Sequence, residues 1–360
     1  MLLAHLLADI SSHGFGHLAQ TAPILNELQN RQPDLKLTIR CGLPTEKLHE
    51  RIHGAFTHIQ SSSDFGFVMH DAVRIDAIAT AALYRKWHAN WLRRVEREAK
   101  KIEAINPDLV LTNVAYLPLA GAYLADIPCL SMSSLNWADL FIHFFGKERW
   151  APKIHAEILA SYACAKNFMC LTPSMPMRSF AKSTVIPPVA TLVQNRRKEL
   201  CKRIGCQEHE KLVLVAFGGF DIDVSATAWS NHPEVRWLIP QHWNIKRPDM
   251  IFLESTGFQF ADLICSVDAV ITKPGYGTFA EAACNGIPVL YLPRDDWPEQ
   301  EYLVAWLKEN ARSSQISEKD LCSGHVYDAL HTLWQKPAPP PIQANGANVA
   351  ATYILEALAR

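Results

Sequence analysis

The strongest constraint on the fold of this 360-residue chain is its opening pattern. Leu2 to Ile10 is a short apolar run. A Ser/Gly/His loop follows at Ser11 to His17. Leu18, Ala22, Leu25 and Leu28 then recur at steps of four, three and three, the spacing of a helix with one buried face. Arg31-Gln32-Pro33-Asp34 stops that helix, and Leu35 to Cys41 reads as a strand. Strand, glycine loop, helix, strand is a βαβ unit, which requires parallel strands.

The alternation continues. A long helix is expected from Thr80 to Ile105, with Leu83, Trp87, Trp91 and Val95 as its buried stripe. Strands are expected at 109–112, 127–131, 168–172 and 184–186, with a short helix at 117–125. Pro187-Pro188 and the polar run Gln194 to Glu199 mark a junction. A second α/β set follows, with strands at 212–217, 235–239, 250–253, 269–272 and 288–292 and a helix at 279–285. A Pro-rich stretch, 336–341, precedes a last helix at about 348–359. The expected architecture is α/β: two Rossmann-like, doubly wound domains facing each other across a cleft. Their expected bounds are 1–187 and 196–335, with 336–360 a linker and helix packing back on the first domain.

Composition narrows the function classes. Apolar residues make up 49 % and charged residues 20 %, and the net charge is −1. A core for each domain is affordable in size, and no electrostatic footprint for nucleic acid or an anionic membrane exists. Nine cysteines, an odd number with no C-x-x-C pair, argue against a zinc site or a disulfide framework and for the reducing cytosol. The first ten residues lack a basic start and are interrupted by Asp9, unlike a signal peptide. No apolar stretch is long enough to span a membrane.

In a parallel sheet ligands bind beyond the carboxyl ends of the strands, which directs attention to four loops. In Ser11-Ser-His-Gly-Phe-Gly-His17, Gly14 and Gly16 permit close backbone approach. His17, or else His13, could take a proton; the alternative is a turn histidine and a helix cap. Gly218-Gly219 leaves backbone N–H groups open to a phosphate or sugar, or is an ordinary turn. Gly275-Tyr276-Gly277-Thr278 precedes a helix start, which suits a pyrophosphate. Glu281 either completes a capping box with Thr278 or holds the two hydroxyls of a ribose. In Arg294 to Glu301, Asp295, Asp296, Glu299 and Gln300 offer acceptors for sugar hydroxyls, or form a solvated charge run. The aromatics Trp137, Phe141, Phe144, Phe145 and Trp150 form an acceptor wall or, as such clusters usually do, pack in a core.

These pieces, in this order, resemble the GT-B glycosyltransferases. The pattern is similar to the bacterial peptidoglycan N-acetylglucosaminyltransferase and to the glycosyltransferase-like N-terminal region of L-arabinokinases. HGFGHLAQTAPILNEL, VAFGGF and TKPGYGTFAEAACNGIPVLYLPRDDWPEQEYL carry the resemblance. It implies a nucleotide diphosphate sugar as donor, UDP-linked by preference, with no cofactor and no metal. Gly14, Gly16 and His17 then face acceptor and donor phosphates, Gly218 and Gly219 lie near the donor, and Gly275, Tyr276, Gly277 and Thr278 form the diphosphate turn. Glu281 holds the ribose, Gly257 and Phe258 read the base, and Asp295, Glu299 and Gln300 meet the donor sugar. The implied reaction is inverting hexosyl or N-acetylhexosaminyl transfer with His17 as base. The first loop is less glycine-rich than in the peptidoglycan enzyme, and 220–236 is short for the usual helix. Rival readings are a UDP-sugar 2-epimerase and a non-catalytic nucleotide-sugar binder.

Overall fold

A computed structural model describes residues 4–218, 226–340 and 342–359. The first half holds β1 (His5–Ile10), α1 (Gly16–Arg31), β2 (Lys36–Arg40), α2 (Thr45–His49), β3 (Thr57–Ile59), α3 (Ala77–His88), α4 (Trp91–Ile105), β4 (Leu109–Asn113), α5 (Leu117–Leu124), β5 (Cys129–Ser133), α6 (Trp137–Phe145), α7 (Ala151–Ala163), β6 (Phe168–Leu171) and β7 (Ser183–Ile186). The second holds α8 (Arg197–Ile204), β8 (Lys211–Ala216), β9 (Val235–Ile239), β10 (Met250–Phe252), α9 (Phe260–Ser266), β11 (Ala269–Thr272), α10 (Tyr276–Cys284), β12 (Val289–Tyr291), α11 (Glu299–Asn310), β13 (Ser313–Gln315), α12 (Glu318–Cys322), α13 (Val326–Trp334) and α14 (Gly346–Leu358).

The strands form two parallel sheets, in the orders β3-β2-β1-β4-β5-β6-β7 and β10-β9-β8-β11-β12-β13. Both are doubly wound. Chain direction across the sheet reverses between β1 and β4, and again between β8 and β11, so each sheet has one crevice at its strand ends. The strands read as apolar runs because helices cover both faces. In β1, Leu6, Leu7, Ala8 and Ile10 are all buried. Its one charge, Asp9, is also buried and is held by Arg40 and Ser63. The last helix lies against α1: Arg31 donates to Thr352 Oγ1 (2.8 Å) and to the carbonyl of Asn348 (3.0 Å).

One expectation needs correction, and two features complete the reading. The helix expected at 80–105 is two helices, α3 and α4, broken at Ala89–Asn90. Its buried face holds Tyr84, His88, Trp91, Glu98, Ala99 and Ile102, while Leu83, Trp87 and Val95 are only partly covered. Polar partners cause this: His88 is bonded to Glu157 (2.7 Å) and Tyr116 Oη (2.8 Å), and Glu98 receives Arg40. A count of apolar residues cannot register such burial. The short strands β3 and β13 were not anticipated, having three residues each. The aromatics of 137–150 belong to the core reading: Trp137, Phe141 and Phe145 are buried, on the then unrecognised helix α6.

Candidate functional site

The two crevices meet through the helices that leave them. α1 starts at Gly16 after β1, and α10 starts at Tyr276 after β11. Neither N-terminus has a side-chain cap. The starts touch: a Cβ added to Gly277 would stand 2.7 Å from Ala19 Cβ and 3.9 Å from Gly16 Cα. Each uncapped end presents N–H groups with no intrahelical partner and a partial positive charge. Two such ends side by side make one anion-attracting surface. Space lies beside it: nothing within 4 Å would meet a Cβ on Gly16, and only Lys273 approaches one on Gly275 or Gly218.

Two basic side chains reinforce that surface. Lys273 closes β11, and burial and nearby Arg294 depress its pKa to about 7. Arg294 follows β12; burial lowers it to about 10, and its guanidinium lies over the Trp297 ring, 4.2 Å from the centroid. Glu299, itself buried, supplies the opposing charge to both.

On the first-half side stands His17, 5 % exposed. Its Nδ1 is 2.8 Å from Asn113 Oδ1. Asn113 sits at the carboxyl end of β4. Its amide nitrogen donates to Gln20 Oε1 and Thr21 Oγ1, both at 3.0 Å, which turns the amide oxygen toward His17. An oxygen acceptor requires a proton on Nδ1, so Nε2 carries the lone pair. Burial pushes the His17 pKa down to about 4, so the ring is neutral at pH 7. His13 is pushed to about 3 by burial, with His17, Arg294 and Lys273 adding repulsion. It stacks on Trp297 (6.0 Å between centroids) and meets Trp137 edge-on at 5.4 Å. His13 is thus an aromatic packing element at the cleft, whereas the His17 ring is held at Nδ1 by Asn113 with Nε2 left to accept.

The remaining expected residues fall as follows. Gly14 has φ +82°, which its tight turn requires. Gly219 lies outside the described residues; Gly218 precedes it with φ +82°. Thr278 lies within the first turn of α10, whose N-cap is Gly275, so the capping-box reading of Thr278 and Glu281 is wrong by three residues. Glu281 is 1 % exposed and pairs with Arg51 from the other half, Oε1 at 2.5 Å and Oε2 at 3.4 Å. A ribose there has to share or displace that guanidinium. The Tyr276 hydroxyl donates to the Thr172 carbonyl and accepts from the Val189 N–H, both at 2.9 Å, so its ring braces the halves and only its backbone faces the turn.

Gly257 has φ +68°, with the Arg203 guanidinium beside it. The Phe258 ring carries Arg196, 4.4 Å from its centroid, and its N–H goes to Thr256 Oγ1 (3.2 Å). Of the acidic segment, Asp295 and Asp296 are exposed and fit the solvated-run reading. Glu299 accepts from Ser134 Oγ (2.6 Å) and Trp297 Nε1 (3.1 Å), and Gln300 accepts from the Arg294 N–H. As placed, these acceptors serve the protein, because burial requires partners for them. Among the described residues no group of three or more His, Cys, Asp or Glu is placed to hold a metal ion. No described helix is long and apolar enough to cross a membrane.

Sequence reasoning missed Asn113, Lys273, Arg294, Arg51, Ser134 and Trp297. The first three stand at strand ends beside the crevices, and the strand-end rule alone could have found them. Arg51 left no signal, since its partner is 230 residues away.

No family model matches the chain. It is 22 % identical over 359 residues to the L-arabinokinase of Arabidopsis thaliana, across 96 % of this chain and 34 % of that protein. It is 24 % identical over 247 residues to the UDP-N-acetylglucosamine–N-acetylmuramyl-(pentapeptide) pyrophosphoryl-undecaprenol N-acetylglucosamine transferase of Desulforudis audaxviator, across 60 % of this chain and 64 % of that one. The chain therefore spans about a third of one curated relative and under two thirds of the other. Among solved structures it is similar to the calicheamicin glycosyltransferase, at 15 % identity and a TM-score of 0.62 over 100 % of this chain and 99 % of that one. It is also similar to a UDP-N-acetylglucosamine 2-epimerase, at 12 % identity and a TM-score of 0.55 over 98 % and 96 %. The fold is GT-B, with two Rossmann-like halves.

Proposed function

We propose that this protein transfers a hexosyl or N-acetylhexosaminyl group from a nucleotide diphosphate sugar, UDP-linked by preference, to a hydroxyl or amine acceptor, with inversion and without a metal ion. The observation that carries this reading is the junction of two uncapped helix N-termini beside Lys273 and Arg294. The relatives named above, several of them transferases, support the class of reaction.

The acceptor heteroatom attacks the anomeric carbon, and the bond to the diphosphate oxygen breaks. The electron pair leaves with the diphosphate, and the acceptor proton goes to His17 Nε2. Charge develops on the leaving oxygens, where fixed N–H groups and cations stabilise it without reorganising. Neutrality of His17 at pH 7 keeps it able to accept. Glu281 would hold the ribose in competition with Arg51, and Gly218, Gly257 and Phe258 would line the nucleotide. A cytoplasmic location belongs to the same reading.

Thermal-shift titration with UDP, TDP and GDP, then with their sugars, tests the donor, because selective binding raises apparent stability by mass action. His17→Ala should cut turnover at least a hundredfold with donor affinity nearly unchanged. Unaltered turnover would remove His17 from the mechanism, and a nucleotide bound away from 275–278 would remove the site. The 2-epimerase likeness favours one second reading. Donor incubated alone would then yield an epimer, which transfer does not predict.

A further inference from the structure

The base is tied to the opposite half of the chain by side chains that can point only one way. Glu299, from α11, and His17, from α1, are the ends of a line of five buried residues. Ser134 Oγ donates to Glu299 Oε1 at 2.6 Å. Gln20 Nε2 donates to Ser134 Oγ at 2.7 Å. Asn113 Nδ2 donates to Gln20 Oε1 at 3.0 Å, and His17 Nδ1 meets Asn113 Oδ1 at 2.8 Å.

Each link fixes the next. Burial raises the Glu299 pKa, and the bonds from Ser134 and Trp297 with nearby Arg294 and Lys273 oppose that rise. As a carboxylate Glu299 only accepts, so the Ser134 proton is spent on it and the Ser134 lone pair must take an N–H. Gln20 therefore turns its nitrogen to Ser134 and its oxygen to Asn113. Asn113 then turns its nitrogen to Gln20 and its oxygen to His17. That oxygen demands a proton on Nδ1 and leaves Nε2 bare. Trp297 Nε1 donates to the other oxygen of Glu299, so both carboxylate oxygens are engaged. Thr21 gives the same answer locally: its hydroxyl donates to the His17 carbonyl (2.8 Å), so it too can only accept from Asn113.

We propose that Gln20, Ser134 and, from the opposite half, Glu299 are positioning residues that hold the His17 tautomer together with the local contacts of Asn113, so that joining the halves adds a second restraint on where the ring proton sits. None of them touches the reacting atoms in this role. The use made of Nε2 rests on the transfer reading; the tautomer itself does not.

The test reads the tautomer directly, by ¹⁵N chemical shifts of the His17 ring in the full chain without ligand. Thr21→Val removes the stronger local support, leaving the 3.4 Å bond from Asn113 Nδ2 to the His17 carbonyl, and should leave Nδ1–H in place. Adding Ser134→Ala or Glu299→Gln should then produce a mixture of Nδ1–H and Nε2–H forms. Ser134→Thr, which keeps the hydroxyl, should restore the single tautomer in the Thr21→Val background. An unchanged tautomer in both double variants overturns the proposal, and so does a mixture that Ser134→Thr fails to cure, because packing would then be responsible. With a donor and acceptor in hand, Ser134→Ala with Thr21→Val should lower kcat tenfold or more and leave the donor KM within twofold. Failure to find any transfer would undo the functional reading and leave the tautomer result standing.

Discussion

His17 is held by an amide, and that choice sets its acidity. Burial disfavours the imidazolium, the uncharged Asn113 oxygen offsets only part of that cost, and the pKa falls to about 4. The acid limb of kcat/KM should accordingly lie well below pH 6.5, which a pH–rate profile reads. Asn113→Asp should move that limb upward by a unit or more, since a carboxylate favours the charged ring. The same substitution forfeits the donor that now serves Gln20 and Thr21, so stability should fall. The buried histidines also carry a stability prediction. His17 and His88 are depressed by burial to about 4 and about 3, from 6.5. Between pH 6.5 and those values the unfolded chain binds more protons than the folded one. Their contribution is complete above about pH 6.5 and is lost as pH falls toward the folded values. Tm measured from pH 7 to 4 should decline, and His88→Gln should flatten the slope.

At the scale of elements, the contact between the starts of α1 and α10 makes the candidate site. Gly277 permits it, because any Cβ there collides with Ala19. Gly277→Ala should cost about 1–3 kcal/mol in chemical denaturation, the usual penalty for overpacking. Ala19→Gly in the same chain should recover part of that loss, and a double-mutant cycle gives the coupling. The glycine loop, the G-Y-G-T turn and the strand–helix alternation could be read from residue spacing because local backbone demands write themselves into local sequence. The break between α3 and α4 could not. His88 and Glu98 are buried by partners on other elements, and their polarity disguises the buried face.

For the whole molecule, a few contacts tie the halves: Arg51 to Glu281, Ser134 to Glu299, Tyr276 to Thr172, and the stack of His13 on Trp297. Removing one partner of a buried ion pair costs about 3–5 kcal/mol. The Arg51 side chain is 15 % exposed, so Arg51→Met should cost less, about 1–3 kcal/mol. Small-angle scattering should show a larger radius of gyration as the halves part. Glu281→Gln added to Arg51→Met should recover stability by removing the stranded charge; no recovery would mean that the pair is not what joins the halves there.

The sequence by itself determined the α/β class, the parallel strands and the loops at which a ligand could sit, because helix and strand periods and glycine turns are written within a few residues of where they act. Only the tertiary structure decided which of those loops meet, that Glu281 faces Arg51, and that Glu299 reaches His17 through Ser134, Gln20 and Asn113. Those pairings join residues up to 230 positions apart. They form because burial leaves each polar group only the partners that the fold brings within reach, and no pattern along the chain records which those are.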